Sequence, residues 1–417
     1  MTEQPSTAQP GRPRVLILVE NLSVPSDRRV WQESLALQQA GYAVQVICPK
    51  GEKRDHEAYE QLNGVEIHRF PLRAASGGPI GYLREYGQAF WRIRRLARRL
   101  AGRRGFDIVQ ACNPPDLLLM AARPLKRRGA RFIFDHHDLV PELYLSRFGR
   151  GRDLLYRVLC ALERQTFRLA DVVLSTNGAY KQVAVERGGV AEDDVFIVRN
   201  APDPSRFRPV AHDETLKRGR EHLLAYVGVI APQDGVDYAL RALASLHDRR
   251  RDWRAIFLGA GDALERMKEF ATQLGLDENV EFSGWADDGR ILSVLSTADV
   301  CLAPDPKSPL NDRSTMIKVI EYMAMGRAIV SFDLAESRVT AGDAALYAPG
   351  NDENAFADRI EELLDHPELR TRLGKIGRAR VEGPLAWRHS EAALLAAYRR
   401  ALSGRVEAFA PLERASI

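Results

Sequence analysis

The sequence predicts an α/β protein with two doubly wound, Rossmann-like domains, each built on a parallel sheet. Short apolar runs, which suit strands buried on both faces, alternate with amphipathic helical patterns. The alternation stops once, at a stretch rich in proline and charged residues (201–221), and then starts again. With 417 residues the chain is long enough for two domains that each have a core.

The composition is that of a soluble globular protein and argues against several classes of function. The net charge is only +4, which gives little support for nucleic-acid binding. The four cysteines lie far apart and show no C-x-x-C spacing. We therefore expect neither disulfides nor structural zinc, and a reducing, cytoplasmic compartment fits. No run approaches the ~18 uncharged apolar residues that a membrane-spanning helix needs.

The first domain is expected between residues 13 and 205, after a disordered tail at 1–12. Its first strand, RVLILVE (14–20), leads through a polar loop into a helix that starts near Val30 and ends at Gly41. The later strands of this domain are expected at AVQVICP (43–49), FDIVQA (106–111), RFIFDHHD (131–138), DVVLST (171–176) and DVFIVRN (194–200).

The second domain is expected between residues 206 and 388, after a linker at 201–221. Its strands are expected at HLLAYVG (222–228), RAIFLGAG (254–261), NVEFSG (279–284), ADVCLAP (298–304), AIVSFD (328–333) and ALYAP (345–349). A last helix at 389–403 is expected to pack back on the first domain, before a tail at 404–417. Two such domains imply a central cleft at the carboxyl ends of both sheets, where ligands bind.

The segment NDRSTMIKVIEYMAMG (311–326) predicts an amphipathic helix with a polar start. With Ser314 as the N-cap, Lys318 and Glu321 share one helix face. Free amides at a helix start attract anions, and Arg313 and Lys318 add positive charge there, which suits a diphosphate. Glu321 lies roughly 10 Å further along the axis, where a carboxylate can bind a ribose diol. The alternative is a capped surface helix with a Lys–Glu pair.

The segment IKVIEYMAMGRAIVSFD (317–333) resembles the signature helix and following strand of glycosyltransferase family 4, a family of retaining enzymes with the GT-B fold. FDHHDLVPELY (134–144) resembles the His-Asp loop of the first domain in this family. Further matches occur in the expected order at NAPDPSRFRP (200–209), YVGVIAPQDGVDYALRAL (226–243), FLGAGDALERMK (257–268), VEFSGWADD (280–288) and the segment 345–382. The resemblance covers nearly the whole chain after residue 13.

The resemblance also shows two departures from the family pattern. It places Glu321 on the second glutamate of an E-x7-E motif, which holds the nucleotide ribose, but the first glutamate falls on Arg313. Many family members bind the donor phosphates with an Arg and a Lys where this chain has Val229 and Asp234. Positive charge would then come from Arg313 and Lys318; loss of donor binding is the alternative.

The resemblance implies a donor site in the second domain and a reaction between the two domains. An acceptor hydroxyl would attack the anomeric carbon as the nucleotide diphosphate leaves, without a protein nucleophile. Catalysis then depends on positioning and on stabilising the leaving diphosphate. The expected donor-binding residues are Gly228, Gly259, Gly261, Ser314, Thr315, Met316, Ile317 and Glu321. The expected catalytic residues are His137, Asp138, Arg313 and Lys318.

The sequence DHHD (135–138) contains four residues of metal-ligand type, but strand alternation splits them into two pairs. Asp135 and His137 face one side, so we expect no metal. The resemblance implies that His137 and Asp138 lie beside the donor sugar and the acceptor; the alternative is a loop histidine satisfied by backbone. The expected acceptor-side residues are Asp27, Arg28 and Asn113. A merely solvated loop is the alternative for Asp27 and Arg28.

The segment 83–104 combines an apolar stripe at helical spacing with many arginines and has no acid after Glu85. It allows two interpretations. One is a core-packed helix with a solvated basic face. The other is docking on an anionic membrane surface through Arg92, Arg95 and Arg99, at ~1 kcal/mol per basic group. The protein would then be cytoplasmic and peripheral on the inner face of the membrane.

Together these patterns predict a retaining transferase that uses a UDP- or GDP-linked sugar, with no cofactor or metal. The acceptor would be a sugar, a lipid-linked molecule or a small molecule, in polysaccharide or glycolipid assembly. The alternatives are a nucleotide-sugar epimerase and a degenerate subunit that binds a partner glycosyltransferase.

Overall fold

The computed structural model describes residues 11–51, 55–72, 78–148, 151–202 and 206–403. The chain forms two compact units. The first comprises Met1–Pro141, Gly151–Val198 and Ser390–Ile417, and the second comprises Glu142–Arg150 and Arg199–His389. Residues 1–10 of the predicted first tail and the whole of the predicted second tail, 404–417, lie outside the described residues.

The first unit contains one sheet with helices between its strands. Its elements are β1 (Arg14–Leu18), α1 (Arg28–Gln39), β2 (Ala43–Pro49), β3 (Tyr59–Leu62), β4 (Val65–Phe70), α2 (Gly78–Ala101), β5 (Ile108–Cys112), α3 (Leu119–Lys126), β6 (Arg131–His136), α4 (Val140–Phe148), α5 (Leu154–Leu169), β7 (Val172–Ser175), α6 (Gly178–Glu186) and β8 (Val195–Ile197). Helix α4 begins in this unit and continues in the second.

The strand order of the first sheet is β3-β4-β2-β1-β5-β6-β7-β8. All pairings between its described strands are parallel except β3–β4, which is antiparallel. The prediction of a purely parallel sheet is therefore wrong at this edge. Asn63 and Gly64, both with positive φ, form the tight turn between β3 and β4. The short, half-exposed sequence YEQL gave β3 no apolar run to reveal it.

The second unit contains a sheet of six described strands. Its elements are β9 (His222–Val227), α7 (Val236–His247), β10 (Trp253–Leu258), α8 (Leu264–Gln273), β11 (Val280–Gly284), α9 (Asp288–Thr297), β12 (Val300–Ala303), α10 (Ile317–Ala324), β13 (Ala328–Phe332), α11 (Ala335–Ala341), β14 (Ala345–Ala348), α12 (Glu353–Asp365) and α13 (Pro367–Glu382). The order is β11-β10-β9-β12-β13-β14, and all these pairings are parallel.

Part of the stretch that the sequence predicts to be a linker belongs to the core of the second unit. Phe207 and Leu216 are 2% and 6% exposed and pack in its apolar cluster. The backbone amides of Val210 and Asp213 donate to the hydroxyls of Ser296 and Thr297. Residues 206–217 are therefore packed structure and not a free connection.

The last helix, α14 (Trp387–Leu402), is part of the first unit from Ser390 onward. The ring of Tyr398 packs edge-on against Tyr42, 5.5 Å between ring centroids. Its hydroxyl donates to Oε1 of Gln110 on β5 at 2.5 Å. The chain thus returns to its first unit after completing the second.

Each sheet has a point at which the chain reverses its direction of winding. In the first sheet β1 lies between β2 and β5, and in the second β9 lies between β10 and β12. The loops that follow the two strands at such a point diverge and leave a crevice at their carboxyl ends, the usual position of a ligand in this architecture. Most of the candidate functional residues lie near these two points.

Candidate functional site

The crevice of the second unit contains a buried lysine in the first turn of α10. The ammonium of Lys318 donates to Oδ1 of Asp305 at 2.5 Å and lies 3.6 Å from Oδ1 of Asp234. It also lies 5.2 Å from the ring centre of Tyr226. Burial alone would lower the pKa of Lys318, but the two carboxylates outweigh it and raise the pKa above its ordinary value. The ammonium therefore stays charged.

The two carboxylates beside Lys318 each have one buried oxygen, Oδ2, without a hydrogen-bond partner among the described residues. Burial raises the pKa of Asp234 to about 6, against the opposing effect of Lys318. With both acids ionised, two negative charges face one positive charge. A dianionic ligand would be favoured by Lys318 and by protonation of Asp234.

Glu321 lies one turn further along α10, and it is 7% exposed. Burial raises its pKa to about 7, and Arg206 and Lys318 oppose this shift. The carboxyl group therefore keeps its proton to a higher pH than an exposed glutamate does. In that state it can both accept and donate hydrogen bonds, which suits a diol.

Ser314 is not the N-cap of this helix, and the prediction that it is one is wrong. The helix begins at Ile317 after Met316, whose side chain makes no capping bond. Ser314 belongs to a preceding turn. Its amide donates to the carbonyl of Asn311, and its hydroxyl donates to the carbonyl of Leu310. The hydroxyl is used inside the loop, so helical geometry starts three residues later.

The other polar residues before α10 hold the loop in place. The side-chain amide of Asn311 donates to the carbonyls of Gln233 and Pro306, both at 2.9 Å. Asp312 accepts from the amide of Ala335 at 2.8 Å. These bonds tie the loop after β12 to the loop after β9 and to the start of α11. Much of the polar start predicted for the helix thus has a structural role.

The remaining expected donor residues on this loop differ in exposure. The hydroxyl of Thr315 donates to buried Glu336 at 2.9 Å. Met316 is half-buried, whereas Ile317 is 52% exposed. The side chain of Arg313 is 49% exposed, with its guanidinium 3.9 Å from Glu142. Arg313 and Lys318 therefore have quite different environments and do not form one buried cation pair.

The glycines expected at the donor site are required by close packing of two loops. At Gly259 (φ +153°) a Cβ would lie 1.7 Å from the carbonyl oxygen of Gly228. At Gly261 it would lie 2.2 Å from the carbonyl oxygen of Ile230. At Gly228 (φ +156°) it would approach Cε of Lys318 at 3.1 Å. Gly228 thus borders the lysine, while Gly259 and Gly261 bring the β9 and β10 loops together.

In the first unit, Asn113 fixes the backbone after β6. Its side-chain oxygen accepts from the amides of His137 at 2.9 Å and Asp138 at 3.0 Å. Its side-chain nitrogen donates to the carbonyl of Asp138 at 2.7 Å. Because Asn113 is only 2% exposed, this clamp is its evident role, and it positions the two residues expected to be catalytic.

The other two expected acceptor-side residues lie at the start of α1. Asp27 is the N-cap of this helix and accepts from the amide of Val30 at 3.1 Å. Burial raises the pKa of Asp27, while His137 opposes that shift. Arg28 is exposed. The structure thus brings Asp27 near His137 and leaves Arg28 at the surface.

His137 lies beside two buried charged groups that the sequence did not single out as functional. Its Nδ1 is 3.3 Å from Oδ2 of Asp135, and Asp135 is bound by Arg29. Burial alone would lower the pKa of His137, but Asp135 raises it above the ordinary value. Burial raises the pKa of Asp138. Asp135 therefore favours the protonated form of His137, whereas burial favours the neutral form of Asp138.

As strand alternation predicts, His136 faces away from Asp135 and His137. It is 0% exposed and packs among the rings of Phe134, Phe167 and Tyr180. The four residues of DHHD therefore do not converge on one point.

Helix α2 exposes basic side chains and one large aromatic side chain to solvent. Trp91 is 65% exposed, Arg95 and Arg99 are exposed, and Arg92 is half-buried. In the described part of the chain no helix has both the length and the apolar character needed to cross a bilayer.

Two family models match the chain, one in each unit. The model described as "Glycosyltransferase Family 4" matches residues 27–206, and that described as "Glycosyl transferases group 1" matches residues 221–366. The chain belongs to glycosyltransferase family 4. The first match ends close to the boundary between the units, which lies between Val198 and Arg199.

Three curated relatives of this family 4 glycosyltransferase are at most 30% identical to it. The D-inositol 3-phosphate glycosyltransferase of Nocardia farcinica is 28% identical over 253 residues. The match covers 58% of this chain and 55% of that protein. The α-D-kanosaminyltransferase of Streptomyces kanamyceticus is 30% identical, but the match spans only 39% of its length. The 2-deoxystreptamine glucosyltransferase of the same organism is 26% identical over 81% of this chain and 89% of its own.

Solved structures share the GT-B fold with this family 4 glycosyltransferase at low sequence identity. Sucrose-phosphate synthase of Thermosynechococcus elongatus superimposes with a TM-score of 0.78 at 19% sequence identity. The match covers 94% of this chain and 100% of that chain. HepE of Anabaena, solved in complex with UDP-glucose, matches 92% of this chain and 99% of its own with a TM-score of 0.67 and 14% identity.

Sequence reasoning missed Arg29, Asp135 and Asp305 as residues of the candidate site. A signal was available for the first. Arg29 and Glu33 are one turn apart on the face of α1 that also carries buried Leu37. Charged residues on an apolar helix face need buried partners. Asp305 gave no such signal, because only the fold brings the β12 loop to Lys318.

Proposed function

We propose that this family 4 glycosyltransferase is a retaining enzyme that moves a sugar from a nucleotide diphosphate sugar to an acceptor hydroxyl. The observation that carries the proposal is the placement of Lys318 and Glu321 on successive turns of α10, beside the switch point of the second sheet. A buried ammonium suits a diphosphate, and a buried carboxyl group one turn away suits a ribose.

UDP is the first choice for the nucleotide and GDP the second. HepE, which shares the fold, was solved with UDP and with UDP-glucose. Lys318 would bind a diphosphate oxygen, and the protonated form of Asp234 would avoid repulsion. Glu321 would hold the ribose. No metal is required by this arrangement, since an ammonium already stabilises the leaving charge.

In the proposed reaction the acceptor oxygen forms a bond to the anomeric carbon as the bond from that carbon to the diphosphate oxygen breaks. The acceptor's proton passes to the leaving phosphate oxygen, so atoms and charge balance. His137, with its raised pKa, would donate a hydrogen bond to the sugar near the reacting carbon. Lys318 would stabilise the developing charge on the diphosphate.

We place the acceptor on the side of Asp27 and Asp138 and assign it to polysaccharide or glycolipid assembly. Support for a membrane-bound acceptor comes from α2. Its exposed Trp91 and the nearby Arg95 and Arg99 combine an interfacial aromatic side chain with positive charge, which anionic lipid attracts. The protein would then work as a peripheral enzyme on the cytoplasmic face.

The test is a thermal-shift panel with UDP, GDP, dTDP and ADP, followed by incubation with the matching nucleotide sugars and NMR of the product. A ligand that binds only the native state raises the melting temperature. We expect one nucleotide to stabilise the protein and the product to keep the donor's anomeric configuration. Inversion would contradict the retaining mechanism.

A second candidate is a subunit that has lost donor binding, and the two acids around Lys318 favour it. The same panel separates the two candidates. A protein that none of the four nucleotides stabilises, and that forms a stable complex with an active transferase, would be this subunit.

A further inference from the structure

The carboxylate of Asp135 lies between the guanidinium of Arg29 and the imidazole of His137, the candidate catalytic residue. It is 0% exposed and is the penultimate residue of β6. Its Oδ2 lies 3.3 Å from Nδ1 of His137 and accepts from Nε of Arg29 at 3.0 Å. Its Oδ1 accepts from the terminal nitrogen of Arg29 at 2.7 Å. One carboxylate thus joins the imidazole to a guanidinium.

We infer that Asp135 and Arg29 are positioning residues of the transfer reaction, which hold the His137 ring in one orientation with Nδ1 toward Asp135 and Nε2 toward the substrate. This inference rests on the proposed function, in which His137 contacts the donor sugar. A carboxylate bound to Nδ1 fixes the ring orientation and stabilises the charged imidazole, whose other nitrogen then donates outward.

Arg29 is needed because a buried carboxylate without a cation would be protonated. Burial alone would raise the pKa of Asp135, but Arg29 and His137 hold it well below its ordinary range. Arg29 is itself fixed, since it also donates to the carbonyl of Val198 at 2.7 Å and lies 3.2 Å from Glu33. Its side chain is 8% exposed, so the pair is shielded from water.

The network continues away from His137 and ends on the last helix. Gln110 on β5 donates to Oε2 of Glu33 at 2.7 Å and accepts from the hydroxyl of Tyr398 on α14. Glu33, Gln110 and Tyr398 are all 0% exposed. These hydrogen bonds, together with the ion pair between Glu33 and Arg29, connect the last helix to Asp135 and His137 within the first unit.

The groups facing Asp135 determine the direction of the pH effect. They are Arg29, Glu33 and Asp27 from α1, Cys112 from β5, and His137 and Asp138 from the end of β6. Among these, Arg29 stays charged, burial raises the pKa of Glu33 to about 7, and Asp135 raises the pKa of His137 above its ordinary value. If His137 acts as a charged donor, kcat falls as pH rises through its pKa. Loss of the Asp135 charge lowers that pKa, so the fall moves to lower pH.

The experiment compares Asp135→Asn with wild type in steady-state transfer over a range of pH. We expect kcat to drop by about 10- to 100-fold, as for loss of a partner that orients a metal-ligating histidine. We expect both KM values to change little and the alkaline fall in kcat to move to lower pH. Asp171→Asn is the matched control, because it breaks the partly buried ion pair with Lys126 elsewhere in this unit and should leave the pH profile unchanged.

Two further measurements keep the inference testable. Tyr398→Phe removes only the far hydroxyl and should lower kcat by a few-fold. If Asp135→Asn does not fold, the His137 resonance of the wild-type protein, assigned with His137→Gln, must titrate above the ordinary histidine range. An ordinary titration midpoint, or a kcat profile of Asp135→Asn that matches wild type, would overturn the inference alone. Absence of transfer by wild type would instead overturn the proposed function.

Discussion

The ammonium of Lys318 lies 3.6 Å from the carboxylate of Asp234, at the position where the family resemblance leads one to expect a lysine. A negative residue thus replaces the expected cation, and a positive charge reaches the same place from α10. Asp305 holds that ammonium at 2.5 Å. The crevice retains a buried cation, although the sequence of the β9 loop alone suggests that it has none.

Lys318→Ala should weaken binding of the nucleoside diphosphate that the panel selects. A hydrogen bond to a charged group contributes roughly 1.5–3 kcal/mol, so the dissociation constant should rise by about 10-fold or more. Calorimetric titration measures the change. Lys375→Ala is the control, because Lys375 is exposed on α13 and should not alter affinity. Equal affinity of Lys318→Ala and wild type would remove Lys318 from the donor site.

Asp234→Asn should strengthen diphosphate binding above neutral pH. With a pKa of about 6, Asp234 is mostly ionised at pH 8 and repels the ligand, whereas at pH 5.5 it is mostly neutral. Wild-type affinity relative to that of the variant should therefore fall as pH rises from 5.5 to 8, because Glu321 and the diphosphate titrate in both proteins. Titrations at the two pH values provide the check, and a weaker-binding Asn variant at pH 8 would contradict it.

Glu321→Gln should stabilise the protein at pH 8. The pKa of Glu321 is raised from its ordinary 4.5 to about 7 in the folded protein. The contribution of this carboxyl group to the free energy of unfolding is therefore complete below pH 4.5. It is lost as pH rises through 7, at a cost of up to ~3 kcal/mol. Gln cannot ionise, so melting temperatures should differ more between variant and wild type at pH 8 than at pH 5. A difference in melting temperature that is the same at both pH values would show that the pKa of Glu321 is not raised in the folded protein.

Trp91→Ser combined with Arg95→Gln and Arg99→Gln should reduce sedimentation with vesicles that contain anionic lipid. Each basic group near such a surface contributes about 1 kcal/mol, and salt screens the attraction. Arg249→Gln is a control, because Arg249 is in the second unit and pairs with Asp358 and Glu361. If wild type sediments equally with neutral vesicles, or not at all, α2 is a core-packed helix with a solvated basic face.

The sequence predicted the parallel strands except β4, because most of them are continuous apolar runs between polar loops, whereas apolar and polar residues alternate at the start of β4. Strand β2 runs from Ala43 to Pro49, as the run AVQVICP predicts. Strand β3 was missed because its side chains alternate between exposed and half-buried. The stretch around Phe207 was assigned to a linker because its prolines and charged residues are typical of a linker, although the ring of Phe207 is buried.

Prediction of the candidate site was limited by contacts between distant residues. Residue type and helical spacing bring Lys318 and Glu321 to attention, but nothing local indicates that Asp305 binds that lysine. Likewise, Ser314 has the residue type of an N-cap, yet its hydroxyl is used by Leu310 in the turn before the helix. Local preference identifies candidate residues, and the tertiary structure determines which partner each one has.

The central claim is that a nucleotide diphosphate binds along α10, with its phosphates at Lys318 and its ribose at Glu321. The most direct test is a crystal structure with the nucleoside diphosphate that stabilises the protein. We predict a phosphate oxygen within hydrogen-bond distance of the Lys318 ammonium and a ribose hydroxyl on the Glu321 carboxyl group. A nucleotide bound elsewhere, with Lys318 still held only by Asp305 and Asp234, would contradict the account.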